Sequence, residues 1–300
     1  MRRTFVIVVV LASAGVLGAQ PAFRSAVDLV TVPVVVTPRE QTWRVGELGA
    51  ADFHIFEDGV PQDLALVSHQ PRAISLCILL DSSPSMASGR QPLAIRTIDT
   101  LLGALGAGDE AALLFFASTV RVAFAWTPAH AVKPVSWIEW RLSLGTALLD
   151  AMNDAWRMVE DARNPLPVIV VVSDGGENSS GTSLAGLVSS RRQSETMIYG
   201  IHTDLPVFRY APPVNRAFSD LLPDLVGDSG GTVYRIRTPE AGETAARALV
   251  EELRSQYTLG YVPKRPADGK YRRLTVESTN RNVVLRHRAG YLAAPAKPER

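Results

Sequence analysis

Ile74-Ser75-Leu76-Cys77-Ile78-Leu79-Leu80, followed at once by Asp81-Ser82-Ser83-Pro84-Ser85, decides the fold. The first seven residues form a nearly unbroken apolar run. A strand with one wet face would alternate polar and apolar residues, so this one is read as buried on both faces, as in a parallel sheet covered by helices. A second run of the same kind, Val168 to Val172, leads into Ser173-Asp174-Gly175-Gly176. Between and after these runs the pattern alternates. Pro92 to Leu105 has helical spacing; Ala111 to Ala117 and Val120 to Trp126 read as strands around a Ser118-Thr119 turn; Thr146 to Arg163 reads as a helix. Helices are then expected over Leu184 to Glu195, Asn215 to Val226 and Pro239 to Gln256, with strands over Met197 to His202 and Thr232 to Ile236. Strands alternating with helices imply an α/β fold, a doubly wound Rossmann-like sheet.

The flanks read differently. Val27 to Thr37 is rich in β-branched residues, and Phe53 to Phe56 is followed by Glu57-Asp58-Gly59, with Asp-Gly as the turn signal before a return strand from Val60 to Val67. After Gln256 the helices stop, and Tyr257 to Val262, Tyr271 to Glu277 and Val283 to His287 read as strands. Neither flank is long enough to bury a core alone, so the two are expected to pack together or onto the α/β domain. The expected division is 1–19, 20–72 (β-segment), 73–256 (α/β domain) and 257–300 (β-segment). Within 1–19, Arg2 and Arg3 precede an apolar run from Phe5 to Leu17 and the small residues Gly18 and Ala19. This is the pattern of a cleaved secretory signal peptide, and the run is shorter than the ~20 residues of a membrane span. The mature chain is therefore expected to be secreted or periplasmic, without membrane insertion.

Composition narrows the classes. With 31 Lys+Arg against 30 Asp+Glu in 300 residues, the formal net charge is +1, too small a positive field for a nucleic-acid binder. At 46% hydrophobic residues the chain is not disordered, and the single Cys77 excludes a disulfide framework or a Cys-rich zinc site.

Three oxygen-rich segments fall where such a sheet places its ligands, beyond the carboxyl ends of strands. Asp81-Ser82-Ser83-Pro84-Ser85 and Ser173-Asp174-Gly175-Gly176 each leave a buried strand, and Gly145-Thr146-Ala147 opens a helix. Together they offer the carboxylates of Asp81 and Asp174 and the hydroxyls of Ser83, Ser85 and Thr146. All are hard oxygen donors, a set suited to Mg²⁺, Mn²⁺ or Ca²⁺ rather than zinc. The competing reading is ordinary local chemistry, with Thr146 as a helix N-cap and Asp174 as a turn residue.

This ordered set resembles the metal-ion-dependent adhesion site of von Willebrand factor type A domains, over residues 73 to about 255. The resemblance implies that Ser83, Ser85 and Thr146 coordinate a metal, with Asp81 and Asp174 acting directly or through water. It also implies that a carboxylate from a partner protein completes the coordination. The Phe56-Glu57-Asp58-Gly59 turn and the tail tyrosines Tyr257, Tyr261, Tyr271 and Tyr291 are similar to those of bacterial secreted proteins related to this family. One departure is Leu144-Gly145, where the family usually has Gly-Gly before the Thr. The expected function is a non-enzymatic, cation-dependent protein-binding module. The alternatives are a metal-assisted hydrolase at the same ion, with Asp150 or Glu177 as the nearest base, and a metal-stabilised scaffold.

Gly227-Asp228-Ser229-Gly230-Gly231 matches the nucleophile motifs of serine hydrolases. A nucleophile elbow, however, needs a strand before the Ser and a helix after it; here that order is reversed, so Ser229 is expected to sit in a turn. Trp137 and Trp140, three apart, are placed on a helix that packs into the core, with a partner-contact rim as the lesser reading. His202-Thr203-Asp204 ends a strand at the same sheet edge. Asn178-Ser179-Ser180 is a glycosylation sequon. Arg191-Arg192 and Arg272-Arg273 are expected to be solvated charge pairs.

Overall fold

The structure is a computed structural model that describes residues 29–40, 46–87, 89–191, 194, 196–205 and 220–294. The first strands are β1 (Val30–Pro38), β2 (Phe53–Glu57), β3 (Val60–Gln62), β4 (Leu64–Ser68) and β5 (Ile74–Asp81), followed by helix α1 (Arg90–Gly103). Then come β6 (Glu110–Phe116), β7 (Val120–Pro128), α2 (Leu148–Glu160), β8 (Leu166–Ser173), α3 (Leu184–Arg191), β9 (Met197–Thr203) and α4 (Leu222–Val226). The chain continues through β10 (Val233–Ile236), α5 (Pro239–Arg254), β11 (Tyr257–Tyr261), β12 (Tyr271–Ser278), β13 (Val283–His287) and β14 (Gly290–Leu292). The proposed signal peptide and residues 215–219 of the expected helix lie outside the described residues, as does Arg192.

The central sheet has the order β10-β9-β8-β5-β6-β7. All neighbours are parallel except β7, which returns antiparallel to β6. Alternation along the buried strands divides the core in two. Leu76, Ile78 and Leu80 of β5, with Val168, Val170 and Val172 of β8, face α1 and α5. Cys77 and Leu79, with Ile169 and Val171, face α2, α3 and α4. Each such fully buried side chain contributes about 1.5–3 kcal/mol, which explains why both strands read as unbroken apolar runs. By the same alternation Asp81 and Ser173, at the strand ends, belong to the α2 face.

On the opposite face α1 and α5 pack closely, helped by Gly242: a side-chain carbon there would lie 2.1 Å from Thr97 Oγ1. Helix α5 opens with Pro239 after the N-cap Thr238, whose Oγ1 accepts the Ala241 N–H at 3.2 Å.

The flanking strands pair with one another. One sheet has the order β13-β1-β11-β4 and the other β14-β12-β2-β3. Their apolar faces share a core of Val32, Val34, Phe53, Ile55, Tyr257, Leu259, Leu274 and Val276. The Asp58-Gly59 turn has φ of 48° and 80°, the left-handed geometry that joins β2 to β3. The return strand expected over Val60 to Val67 is two strands: β3 pairs with β2, and β4 crosses to β11 in the other sheet.

Two sequence expectations are corrected here. Arg272 is not solvated; it is 2% exposed and its guanidinium meets Glu57 at 3.0 Å. Strand alternation sends Arg272 into the sandwich and leaves Arg273 outside. Trp137 and Trp140 are not on an α-helix; Val135–Trp137 is a single 3₁₀ turn, and the chain from 138 to 147 is irregular.

Candidate functional site

β5 is the first strand of the central sheet, and its connections diverge: the chain leaving β5 runs toward β6, while the chain leaving β8 runs the other way toward β9. Adjacent strands whose connections part in this way leave a crevice beyond their carboxyl ends. Asp81 is the last residue of β5 and Ser173 the last of β8.

The two strand ends are tied directly. Ser173 Oγ donates to Asp81 Oδ2 at 2.6 Å, and the Ser83 N–H donates to Asp81 Oδ1 at 2.8 Å. Ser173 Oγ also accepts the Gly175 N–H at 3.0 Å, which turns the chain after Asp174. Beyond Asp81, Ser83 Oγ and Ser85 Oγ lie 3.0 Å apart. Ser82 anchors the same loop to the next strand, its N–H and Oγ both donating to Phe116 O, at 2.7 and 2.9 Å.

Asp81 is fully buried. Burial pushes its carboxyl up to about 6; hydrogen bonds from Ser173 and Ser83 oppose the rise, and the nearby Asp174 charge adds to it. An ionised Asp81 is therefore held against both a desolvation cost and a like charge. A cation beside it would relieve both.

The Thr146 loop is pinned over this edge by backbone bonds. The Ser143 N–H donates to Ser82 O at 3.0 Å, the Ser118 N–H to Leu144 O at 3.1 Å, and the Ala147 N–H to Ala117 O at 2.7 Å. From the other side, the Thr146 N–H donates to Asn178 Oδ1 at 2.9 Å, and Thr146 O accepts the N–H groups of Asn178 and Ser179. Gly145 has φ of 79°, and an added side-chain carbon would meet Ser179 Oγ at 2.5 Å. Glycine at this point lets the two loops close on each other.

Thr146 is not the N-cap of α2. The cap position is Ala147, and no side chain of its own caps the helix. The exposed amides of the first turn are instead met by the loop after β8: Leu149 N–H donates to Glu177 Oε2 and to Ser180 Oγ, both at 3.1 Å. Asp150 accepts the N–H groups of Gly181 and Thr182 at 2.9 and 3.0 Å; a hydrogen bond from the Thr182 side chain, then these amides, hold its carboxyl below the usual range against burial. Glu177 and Asp150 thus serve as fasteners between α2 and the loop after β8. Asn178 of the sequon is engaged in the same clasp.

Among the described residues no three His, Cys, Asp or Glu side chains gather in a way that would hold a metal. The donors at this edge are two carboxylates, Asp81 and Asp174, and the hydroxyls of Ser83, Ser85 and Thr146, a composition that fits a hard divalent cation and not zinc. In the sequence Ser173 stands only as the first residue of the Ser173-Asp174-Gly175-Gly176 segment. Its role needs the β5–β8 pairing, which places the two strand ends side by side.

Ser229 is buried in a 3₁₀ turn; its Oγ donates to Val226 O at 2.7 Å and accepts the Ile198 N–H at 3.1 Å. His202 follows Ser173 in register across the sheet, with Nε2 3.6 Å from Asp220 Oδ2. Trp140 packs edge-on against Phe115, whereas Trp137 is 75% exposed.

Residues 76–177 match the family described as von Willebrand factor type A domain. The chain carries a von Willebrand factor type A domain. The matched span contains all three oxygen-rich segments up to Asp174. Domains of this family generally mediate protein–protein interactions. Among solved structures, a von Willebrand factor type A protein from Catenulispora acidiphila is similar at 15% identity over 81% of this chain and 74% of that one, with a TM-score of 0.49. The vWF domain of the type V pili tip protein Mfa5 from Porphyromonas gingivalis is similar at 11% identity over 61% of this chain and 97% of that one, with a TM-score of 0.43. An aerotolerance-related membrane protein from Bacteroides fragilis NCTC 9343 is similar at 20% identity over 60% of this chain and 98% of that one, with a TM-score of 0.44. No curated protein matches the chain. Among the described residues no helix is long and apolar enough to cross a membrane.

Proposed function

We propose that this chain is an exported, cation-dependent protein-binding module whose von Willebrand factor type A domain captures a partner through a divalent metal. The observation that carries the reading is the buried Asp81 carboxylate beside Asp174, at a sheet edge otherwise furnished with hydroxyls. Ser83, Ser85 and Thr146 would hold Mg²⁺ or Mn²⁺ with Asp81 and Asp174 acting directly or through water. When bound, the ion supplies a concentrated positive charge to which an incoming Asp or Glu is attracted.

Within this reading Asp81 contributes charge and orients the Ser83-Ser85 loop through the Ser83 N–H. Ser173 holds Asp81 in place. The bonds of Ser143, Leu144 and Ala147 to Ser82, Ser118 and Ala117, with those of Thr146 to Asn178 and Ser179, fix Thr146. Hydrolysis at the ion is the less favoured reading, because Asp150 and Glu177 are occupied with backbone amides and neither is free to act as a general base.

The test is capture from native extract by immobilised wild-type protein and by Thr146→Ala, in Mg²⁺ and in chelator. A partner held only by wild type and released by chelator supports the reading. Turnover of a generic ester or phosphate substrate, lost in Thr146→Ala, would replace it with the hydrolase.

A further inference from the structure

Arg90, the first residue of α1, is a charged side chain outside the set of metal donors, and it is only 6% exposed. Its guanidinium spreads over three backbone carbonyls. Nη1 donates to Ser85 O and Nε to Thr203 O, both at 3.2 Å, and Nη2 donates to Leu205 O. None of these acceptors carries a charge, and among the described residues no carboxylate pairs with Arg90. Helix stability does not ask for such a residue here. A cation at a helix N-terminus opposes the helix dipole, and a buried charge costs stability unless it is well bonded. What the fork achieves is a bridge. Thr203 ends β9, two strands away from β5 in the sheet, while Ser85 belongs to the loop leaving β5. Met86 of that loop reaches the same point, accepting a hydrogen bond from Thr203 Oγ1 on its Sδ at 3.5 Å. Ser82 and Ser83 are already tied, to Phe116 and Asp81; Arg90 supplies the corresponding tie for Ser85. The spacing so held has a size. The Ser83 and Ser85 hydroxyl oxygens lie 3.0 Å apart. Adjacent oxygens around an octahedral Mg²⁺, with bonds of ~2.0–2.1 Å, lie about 2.8–3.0 Å apart. Ca²⁺ takes longer bonds in a more flexible shell, so a held spacing favours the smaller ion and a loosened one does not.

We infer that Arg90 is a positioning residue for the metal: by bracing the Ser85 carbonyl against the end of β9 it holds the Ser83–Ser85 spacing and so favours Mg²⁺ over Ca²⁺. The inference rests on the metal reading above, and its test separates the two. Charge alone would act in the opposite direction, because a cation beside the site repels the metal and its removal would tighten binding.

The test is calorimetric titration of the full chain with Mg²⁺ and, separately, with Ca²⁺, for wild type, Arg90→Lys and Arg90→Met, beside thermal melts in chelator. Lys keeps the charge but not the planar fork, and Met keeps neither. Wild type should prefer Mg²⁺. Both variants should bind Mg²⁺ about tenfold or more weakly, the scale of losing a residue that supports a metal ligand, with a smaller loss for Ca²⁺. The preference for Mg²⁺ should therefore fall in both, while a cooperative melt in chelator shows that they fold. A brace that served only the fold would, when removed, weaken the two ions alike. A wild-type preference for Ca²⁺, equal losses for the two ions, wild-type affinity in Arg90→Lys, tighter Mg²⁺ binding in Arg90→Met, or loss of the cooperative melt in both variants overturns the inference and leaves the metal reading standing. A wild type that binds neither ion overturns both.

Discussion

Replacing Asp81 by Asn should stabilise the metal-free protein, although it removes a buried group with two good hydrogen bonds. Burial and the Asp174 charge raise the Asp81 carboxyl from 3.8 to about 6. That is a rise of about two units, and at 1.36 kcal/mol per unit it corresponds to about 3 kcal/mol of cost for keeping the ionised side chain in the fold above pH 7. The opposing hydrogen bonds from Ser173 and Ser83 are already contained in that net shift. The sign follows from proton counting: between 3.8 and about 6 the folded chain binds the proton more tightly than the unfolded chain. The Asp81 contribution, read in chelator as the difference between wild type and Asp81→Asn, should therefore become more favourable as pH falls through 6 toward 4. Asn mimics the uncharged acid but must reorganise the bond from Ser173, so the expected gain at pH 8 is about 1–3 kcal/mol, vanishing near pH 4. At roughly 2–4 °C per kcal/mol the gain is readily seen in thermal melts. The order should invert when metal is added: at about 100 times Kd the wild type gains about 2.7 kcal/mol and the variant little. Loss of stability in Asp81→Asn at pH 8 in chelator would refute the reasoning, because it would make the ionised carboxylate a net support of the fold.

Glu57→Gln should cost about 3–5 kcal/mol in denaturant melts, since it leaves the buried Arg272 with only the half-exposed Asp268 as counter-charge; a loss under about 1 kcal/mol would show that the network is neutral. Burial tends to raise the Glu57 carboxyl, but hydrogen bonds from Tyr291, Tyr261 and Arg265 and the Arg272 charge hold it low. Its stabilisation is thus present above the unfolded value and lost as pH falls through the folded one, a dependence the variant should lack. Gly242→Ala, normally favourable by about 1 kcal/mol in a helix, should here destabilise by about 1–3 kcal/mol because the new carbon meets Thr97 Oγ1, and adding Thr97→Ala should recover part of the loss. Ser229→Ala should leave metal and partner binding unchanged and cost about 1–3 kcal/mol through the orphaned Ile198 N–H; labelling of Ser229 by a serine-directed covalent probe would overturn its assignment to a turn.

The α/β architecture was legible because strands such as β5 and β8, buried on both faces, have no polar alternation to obscure them, and because the connecting helices carry their own period. The Asp58-Gly59 turn was legible for a local reason as well, since its left-handed geometry selects those residues. What escaped depended on partners distant in sequence. Ser173 acquires its role only when β8 lies beside β5. Arg272 looks like half of a solvated pair until β12 is placed against β2, when alternation turns it toward Glu57. The break between β3 and β4 is a change of sheet that no local pattern marks. The Trp137–Trp140 spacing fits one helical turn, yet the segment is a 3₁₀ turn and an irregular loop stapled to the edge by bonds from Ser143, Leu144 and Ala147. The hydroxyl and carboxylate set was visible as a pattern, while the burial that raises the Asp81 carboxyl required the sheet around it.

Calorimetric titration of the full chain with Mg²⁺ and Mn²⁺ at pH 7.5, run beside Asp81→Ala and Thr146→Ala, tests the central claim most directly. The account predicts one saturable site in wild type that is weakened or lost in both variants, with both still folded by circular dichroism. No binding heat in wild type, together with melts that do not move with either metal, would contradict it.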